Sequence, residues 1–385
     1  MDLTSPRYDG ESLVNLSNSI LKMFGAKERN APLKNVELSG RKAIIILVDA
    51  LGWTGLERMS KVEDVRWFMD RSTQITSVFP SVTSTALTSL STGITPGMHG
   101  ILGTILFMNE LGTMVNTLNM SVAPTGSRDD LLNLGYDLGE IYHDNTIFDE
   151  LGREGIRSAA VVPKGLGSTG ISHILYKGAD VLEYHTLFDA FTTALAASKE
   201  HQLVYLYLTH LDTIQHTYGP SSQHYEYALV ETMHLLRRFS DKVSPETTLL
   251  VTADHGQIDV RQEDVVDLRR HGQLLGMLMV PPFGEPRALQ LKVADKGYAE
   301  AVRSYFDEFL PTVDLLDMSR MEALLGGVSD KVRKRLGDLM AVPRDSKVLI
   351  YLLKPSDDKL AKFKGHHAGL SRDEMLIPLF MASSQ

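Results

Sequence analysis

The chain contains no cysteine in 385 residues. That excludes disulfides, thiolate metal sites and a cysteine nucleophile. Long apolar runs are also missing. The longest, Leu274–Phe283, is too short to span a bilayer and includes Pro281-Pro282. Residues 1–30 carry Asp2, Asp9 and Glu11 where a secretory leader would be basic, and no extended apolar core follows them. A cytoplasmic protein without a membrane partner is the expectation. Nor is there an excess of positive charge. The chain has 39 Lys and Arg against 48 Asp and Glu, a net charge of −9. A nucleic-acid polymer is therefore not expected as a partner, because phosphate backbones are bound by clustered Lys and Arg.

What is present is ordinary globular material. Hydrophobic residues make up 43% and charged residues 23%, enough to bury a core without covalent staples. The length exceeds a typical single domain, so one large domain with an insertion is expected. No internal repeat or low-complexity tract interrupts it.

Three apolar runs end in the same way. Ala43–Val48 runs into Asp49. Leu203–Leu208 runs into Thr209-His210-Leu211-Asp212, with His216 four residues later. Leu249–Val251 runs through Thr252-Ala253 into Asp254-His255-Gly256. Each run has the length of a buried strand. An acid at the end of a buried strand is costly unless something cationic neutralises it. Asp49 alone would also serve as a helix N-cap, but three strand ends of one design point to a shared site at the carboxyl edge of a parallel sheet, where open α/β folds place their ligands. Asp212 and His216 stand at i and i+4, so one helical turn points both the same way.

A fourth stretch is rich in hydroxyls. Ile75–Phe79 is predicted as a strand, Pro80 follows, and Ser81–Thr92 reads as a helix ended by Gly93 and Pro96. A hydroxyl at such a strand-to-helix turn lies at the positive end of the helix dipole, where an anion or an alkoxide is stabilised. Late in the chain, Gly365-His366-His367-Ala368-Gly369 returns a histidine pair in a glycine-flanked loop. Lys164–Gly170 is a glycine-rich loop without phosphate-loop spacing, with a face open to substrate.

Around these stretches the patterning predicts helices over Ser12–Phe24 (an outer, N-terminal arm), Leu187–Ala197, Glu226–Phe239, Glu300–Leu310 and Lys331–Met340, and strands over Ala288–Val293, Lys347–Leu353 and Leu376–Phe380. The expected fold is α/β, a doubly wound and mostly parallel sheet, with a small inserted α+β cap. Residues 1–40 form a helical lead-in, 41–260 and 348–385 the catalytic core, and 261–347 the cap.

The candidates are Asp49, Thr83, Asp212, His216, Asp254, His255 and one of His366 or His367. Carboxylates and imidazoles without thiolates suit zinc, manganese or iron. Six ligands and a hydroxyl are too many for one tetrahedral ion and suit two. Paired ions roughly 4 Å apart clamp the attacking and leaving oxygens of an in-line displacement at phosphorus. The other histidines (His99, His143, His173, His185, His201, His210, His224, His234 and His271) read as surface or hydrogen-bonded residues, with His99 packing the turn after the hydroxyl-rich helix and His210 a neighbour of the metal ligands.

In this order the motifs resemble the alkaline phosphatase superfamily, and within it the type I phosphodiesterase/nucleotide pyrophosphatase family. The resemblance rests on Val48-Asp49-Ala50, Phe79-Pro80-Ser81-Val82-Thr83-Ser84-Thr85, Ser91-Thr92-Gly93 with Pro96 and His99-Gly100-Ile101, Asp212 with His216 and Tyr218-Gly219-Pro220, Thr252 to Gly256, and the late Gly-x-His loop. It covers roughly 41–105, 203–257 and the last twenty or so residues. It implies two divalent ions, zinc first and manganese as the alternative. Asp49, Asp254, His255 and Thr83 would hold one, and Asp212, His216 and His367 the other. Position before Ala368-Gly369-Leu370 selects His367 over His366. Thr83 would attack phosphorus and leave a phosphothreonine that water hydrolyses, with Thr85 and then Ser81 as substitutes. Nucleotide pyrophosphatases place an aromatic residue where Ser84 stands, and an Asn donor near Gly103-Thr104-Ile105. Ser84 and Thr104 are accordingly the expected substrate contacts. The implied activity is hydrolysis of a small phosphoric diester or pyrophosphate. The rivals are a monoesterase or phosphonate hydrolase on the same core, and a non-catalytic metal-stabilised binding protein.

Overall fold

The computed structural model describes all residues except 137–144, 355–357 and 383–385; His143 lies outside the described residues. A seven-stranded sheet forms the centre. Its spatial order is Ser72–Thr76, Leu376–Ala382, Thr247–Thr252, Lys42–Val48, Leu203–Leu208, Ser158–Pro163, Asp180–Tyr184. Every strand but Leu376–Ala382 runs the same way. The α/β, mostly parallel architecture is thus as expected. The three strands read as ligand-bearing are adjacent: Lys42–Val48 pairs with Leu203–Leu208 on one side and Thr247–Thr252 on the other. All three are buried along nearly their whole length, as continuous apolar runs covered on both faces must be. Their registers, Val48 opposite Leu208 and Leu47 opposite Thr252, bring the following residues to one edge.

The hydroxyl-rich helix spans Thr83–Thr92 and ends at Gly93, whose φ of +70° suits a helix C-terminus. The expected strand before it stops at Thr76, so 77–82 is an extended turn rather than strand. Ser84 to Thr92 are all buried. The cover is the N-terminal helix, Leu13–Met23, which is not an outer arm. Its residues from Leu13 to Leu21 are buried. Ser17 Oγ donates to Leu90 O at 2.6 Å and Asn18 Nδ2 to Gly93 O at 2.8 Å. Polar residues that would otherwise suggest an exposed face are here spent on the neighbouring helix, which satisfies them without water.

A second seven-stranded sheet corrects the expected cap at 261–347. Its order is Val313–Leu316, Leu339–Pro343, Ala288–Leu291, Phe283–Glu285, Ile105–Met108, Thr113–Asn116, Ser121–Val122. The stretch 283–343 pairs with 105–122 through Gly284 and Ile105. It is therefore not self-contained, and part of the expected core belongs to the second sheet. The helix expected over Lys331–Met340 ends at Arg335, and the chain is strand again from Leu339. Among the described residues no helix is long and apolar enough to cross a membrane.

Candidate metal centre

Asp49 follows its strand directly and is buried. Its Oδ2 accepts from the Tyr207 hydroxyl. Its Oδ1 has no hydrogen-bond partner. Asp254 is fully buried. One oxygen, Oδ1, accepts the Ala50 N–H at 3.0 Å and the His255 N–H at 2.9 Å. The other, Oδ2, has no partner. The backbone here is packed tightly. A Cβ on Gly256 would lie 2.1 Å from the Asp373 carbonyl oxygen, so only glycine fits behind the Asp-His pair.

Three imidazoles are oriented in one way. Nδ1 of His255 lies 3.1 Å from Gly256 O, that of His216 2.8 Å from Gly365 O, and that of His367 3.1 Å from Ser81 O. A carbonyl can only accept, so each Nδ1 carries a proton and each Nε2 is turned toward the centre. A ligating imidazole characteristically has this outer hydrogen bond. His255 Nε2 lies 3.2 Å from Thr83 Oγ1, 3.4 Å from Asp254 Oδ2 and 3.7 Å from Asp49 Oδ1. Asp212 Oδ1 lies 3.2 Å from His216 Nε2 and 3.9 Å from His367 Nε2, and Gln257 Nε2 donates to it at 2.6 Å.

Two groups result. Asp212, His216 and His367 offer ligand atoms within 4.8 Å of one another, and so do Asp49, Asp212 and His255. Asp212 is common to both. Burial, with Asp254 and Asp212 nearby, pushes the Asp49 carboxyl well above its usual range. Burial also works against ionisation of Asp212, but His216, His255 and Gln257 outweigh it and lower that carboxyl overall. Asp49 Oδ1 and Asp254 Oδ2 are buried acceptors without a donor. Each such atom costs about 1–3 kcal/mol, and a divalent cation removes the cost. The residues present therefore fit a pair of metal ions.

Thr83 opens its helix, half-buried, beside His255. The substitute hydroxyls are placed differently. Ser81 Oγ donates to Gly369 O at 2.8 Å. Thr85 is fully buried with its hydroxyl unpartnered, and so is Ser84, so Ser84 stands inside the helix packing. His366 pairs through its backbone with Ile258, and its ring lies 6.3 Å from that of His216; His367, not His366, joins the ligand group. His210 Nε2 lies 2.8 Å from Thr232 Oγ1, on the outer helix Gln223–Ser240, and burial lowers its pKa to about 4. It packs that helix and does not support a ligand.

Motif and spacing missed Tyr207, Gln257 and Glu285. Tyr207 was readable only as one apolar residue of its strand. Gln257 follows the Asp-His-Gly motif directly, and adjacency was its one signal. Glu285 comes from the second sheet. It is buried, and Thr104 N–H donates to its Oε1. Burial raises its carboxyl pKa, countered in part by Thr104, His255 and His216. Thr104 thus spends its N–H on Glu285.

A cavity of about 300 Å³ adjoins the centre. Asp49, Thr83, Asp212 and Thr209 stand on its wall together with aliphatic side chains from the helix Thr83–Thr92, the 118–128 turn and the 162–175 stretch. Leu166 and Thr169 of the glycine-rich loop are among them.

The fold recurs in solved structures. Murine ectonucleotide pyrophosphatase/phosphodiesterase 5 matches with a TM-score of 0.67 at 18% identity, covering 89% of this chain and 88% of that one. Its human counterpart gives 0.64 at 16%, with 89% and 88% covered. Phosphonoacetate hydrolase from Sinorhizobium meliloti 1021, in complex with phosphonoformate, gives 0.65 at 18%, with 89% and 90% covered. No curated protein sequence matches the chain. The model of the family described as type I phosphodiesterase/nucleotide pyrophosphatase matches residues 43–369, which span the two ligand groups, Thr83 and the whole of the second sheet. The chain belongs to the type I phosphodiesterase/nucleotide pyrophosphatase family.

Proposed function

We propose that the protein hydrolyses a small phosphoric diester or pyrophosphate through Thr83, using two divalent ions held by Asp49, Asp254 and His255 and by Asp212, His216 and His367. The observation that carries this reading is the placement of Thr83 Oγ1 3.2 Å from His255 Nε2, beside the unpartnered oxygens of Asp49 and Asp254. The donor set of carboxylate and imidazole suits zinc, with manganese the alternative. When bound, the paired ions would supply positive charge that draws electrons from the phosphoryl group and makes the Thr83 hydroxyl more acidic.

The chain's own contribution is positioning. The helix Thr83–Thr92 directs its N-terminal dipole at the phosphoryl group. Its burial under Leu13–Met23 fixes Thr83 without a loop. Thr83 Oγ forms a bond to phosphorus as one ester P–O bond breaks, and the hydroxyl proton ends on the departing alcohol. Water then attacks the phosphothreonine, its oxygen stays on phosphorus, and Thr83 Oγ recovers a proton. Gln257 and Tyr207 hold Asp212 and Asp49 in place throughout.

Hydrolysis of bis-p-nitrophenyl phosphate and p-nitrophenyl phosphate, with zinc or manganese added, tests the reading. The diester is expected to be the better substrate. A strong preference for the monoester would replace the diester reading with a monoesterase. Inactivity of the metal-loaded protein on every phosphorus ester would favour the binding-protein reading.

A further inference from the structure

The cavity beside Thr83 has more structure than a diester phosphate requires. Apart from the metal-facing groups, its wall is mainly aliphatic: Leu87, Leu118, Leu166, Ile171 and Leu175 contribute, with Thr169 and Ser172 between them. The one aromatic ring beyond Tyr207, that of Tyr176, is tilted against Tyr205 at 5.7 Å and against Phe148 at 6.4 Å. The volume of about 300 Å³ is at the lower limit of small-molecule sites.

A cation stands on the same wall. Arg128 lines the cavity and is exposed, and among the described residues it has no ion pair or hydrogen bond. The backbone beside it is anchored. Asp129 adopts a left-handed conformation with φ of 65°. Its N–H donates to Asn119 O at 2.7 Å, and its Oδ1 accepts the Gly170 N–H at 2.7 Å. Those bonds tie the Arg128 turn to the 119 turn and to the segment carrying Ile171 and Leu175. Asn119 lines the cavity as well. An unpaired guanidinium beside an aliphatic enclosure is a receptor for an anion at the end of an apolar body.

We infer that the cavity binds one ester arm of the substrate, and that this arm is an aliphatic chain ending in a carboxylate or phosphate. This rests on the diesterase reading for the phosphoryl end of the substrate. The aliphatic wall excludes water from the chain, and Arg128 with Asn119 receives the terminal anion.

The test uses the full metal-loaded protein and p-nitrophenyl alkyl phosphates with methyl, butyl or hexyl arms, followed by the hexyl arm carrying a terminal carboxylate. Release of p-nitrophenolate is measured. Each buried methylene is expected to raise kcat/KM roughly fourfold until the cavity is full. The terminal carboxylate should add a further gain of about tenfold that Arg128→Gln removes. Leu118→Asn and Leu166→Asn, both at half-buried positions, should shrink the hexyl-to-methyl ratio. Equal rates for methyl and hexyl arms would overturn the inference, as would a carboxylate gain untouched by Arg128→Gln; a shared terminal phosphate in place of the carboxylate shows which anion is preferred. Calorimetric binding of alkylphosphonates separates this from failure of the diesterase reading. Chain-length-dependent binding without turnover of any diester would discard the hydrolase and uphold the cavity. Binding independent of chain length would discard the cavity whatever the turnover.

Discussion

Two clusters of buried charge share the segment 365–374, and they are built on opposite terms. In one, Arg287 Nε and Nη2 meet the two oxygens of Glu374 at 2.7 and 2.9 Å, with both side chains fully buried. Arg287 Nη1 donates to Asp345 O and Lys347 O at 2.8 Å each. Glu374 also accepts from Gly369 N, Ser371 N and Ser371 Oγ. Burial opposes ionisation of Glu374, but Arg287 and these donors outweigh it and hold the carboxyl below its usual range. The other cluster, seven residues earlier at His367, leaves Asp49 Oδ1 and Asp254 Oδ2 without partners. The first is closed and joins the second sheet to the histidine loop. The second leaves buried acid oxygens open beside three imidazoles. Buried charge alone does not mark a functional site. Buried charge with orphaned atoms does.

The comparison can be broken most severely at Thr83. Thr83→Ala should reduce diester turnover by roughly 10³-fold or more while leaving thermal stability and metal content close to the parent. A variant as active as the parent would show that the open cluster is not organised around that hydroxyl. Next in size is the closed cluster. Arg287→Met strands a buried carboxylate and should cost about 3–5 kcal/mol in denaturant unfolding. Adding Glu374→Gln should restore part of it, because the stranded charge is then gone.

The open cluster should respond with the opposite sign. In Asp254→Asn the amide can keep Oδ1 as acceptor for Ala50 and His255 while its NH₂ replaces Oδ2, which lies 3.4 Å from His255 Nε2. Without metal this variant should be more stable than the parent by on the order of 1 kcal/mol, as read by unfolding in the presence of a chelator. With metal the order should reverse, since the parent alone gains the full binding energy. A variant less stable than the parent in chelator would mean that Asp254 is already satisfied.

The smallest effect concerns His99, a buried histidine with a closed set of bonds. Its Nδ1 accepts the Ile101 N–H at 3.1 Å, and Nε2 faces Ser89 Oγ at 2.9 Å. Burial lowers its pKa to about 3. The folded chain therefore holds it neutral at pH values where the unfolded chain, titrating near 6.5, takes up a proton. Its contribution to stability should be intact above pH 6.5 and decline by about 1 kcal/mol per pH unit as pH falls from 6.5 towards 3. His99→Gln should flatten that part of the stability–pH curve. An unchanged slope would assign the acid sensitivity to His210 and His366, which burial also lowers, to about 4 and about 3.

The open cluster was largely legible in the sequence because its parts are local. A strand that stops at an acid, and an acid four residues from a histidine, are short-range patterns. Parallel packing of three such strands then places Asp49, Asp212 and Asp254 together with no further information. The closed cluster was not legible. Arg287 and Glu374 are 87 residues apart, one in a hairpin turn and the other in the short helix Arg372–Met375, and their pairing depends on a second sheet whose strands come from both 105–122 and 283–343. Pairing at that distance leaves no periodic trace. The burial of Leu13–Met23 was hidden for a different reason. Asn15, Ser17 and Asn18 suggest water by residue type, and only the fold shows that their partners are backbone carbonyls, of Ala31, Leu90 and Gly93. Glu285 was hidden by both effects, a buried charged residue whose partner, Thr104, comes from a distant part of the chain.

Metal stoichiometry tests the central claim most directly. The purified chain and its Asp254→Asn variant are dialysed against the same zinc solution, and the ions retained per chain are counted. Two ions on the parent and one on the variant, held by Asp212, His216 and His367, is the predicted result. One ion or none on the parent, or the same number on both proteins, would contradict the reading of the orphaned carboxylates as half of a two-metal centre.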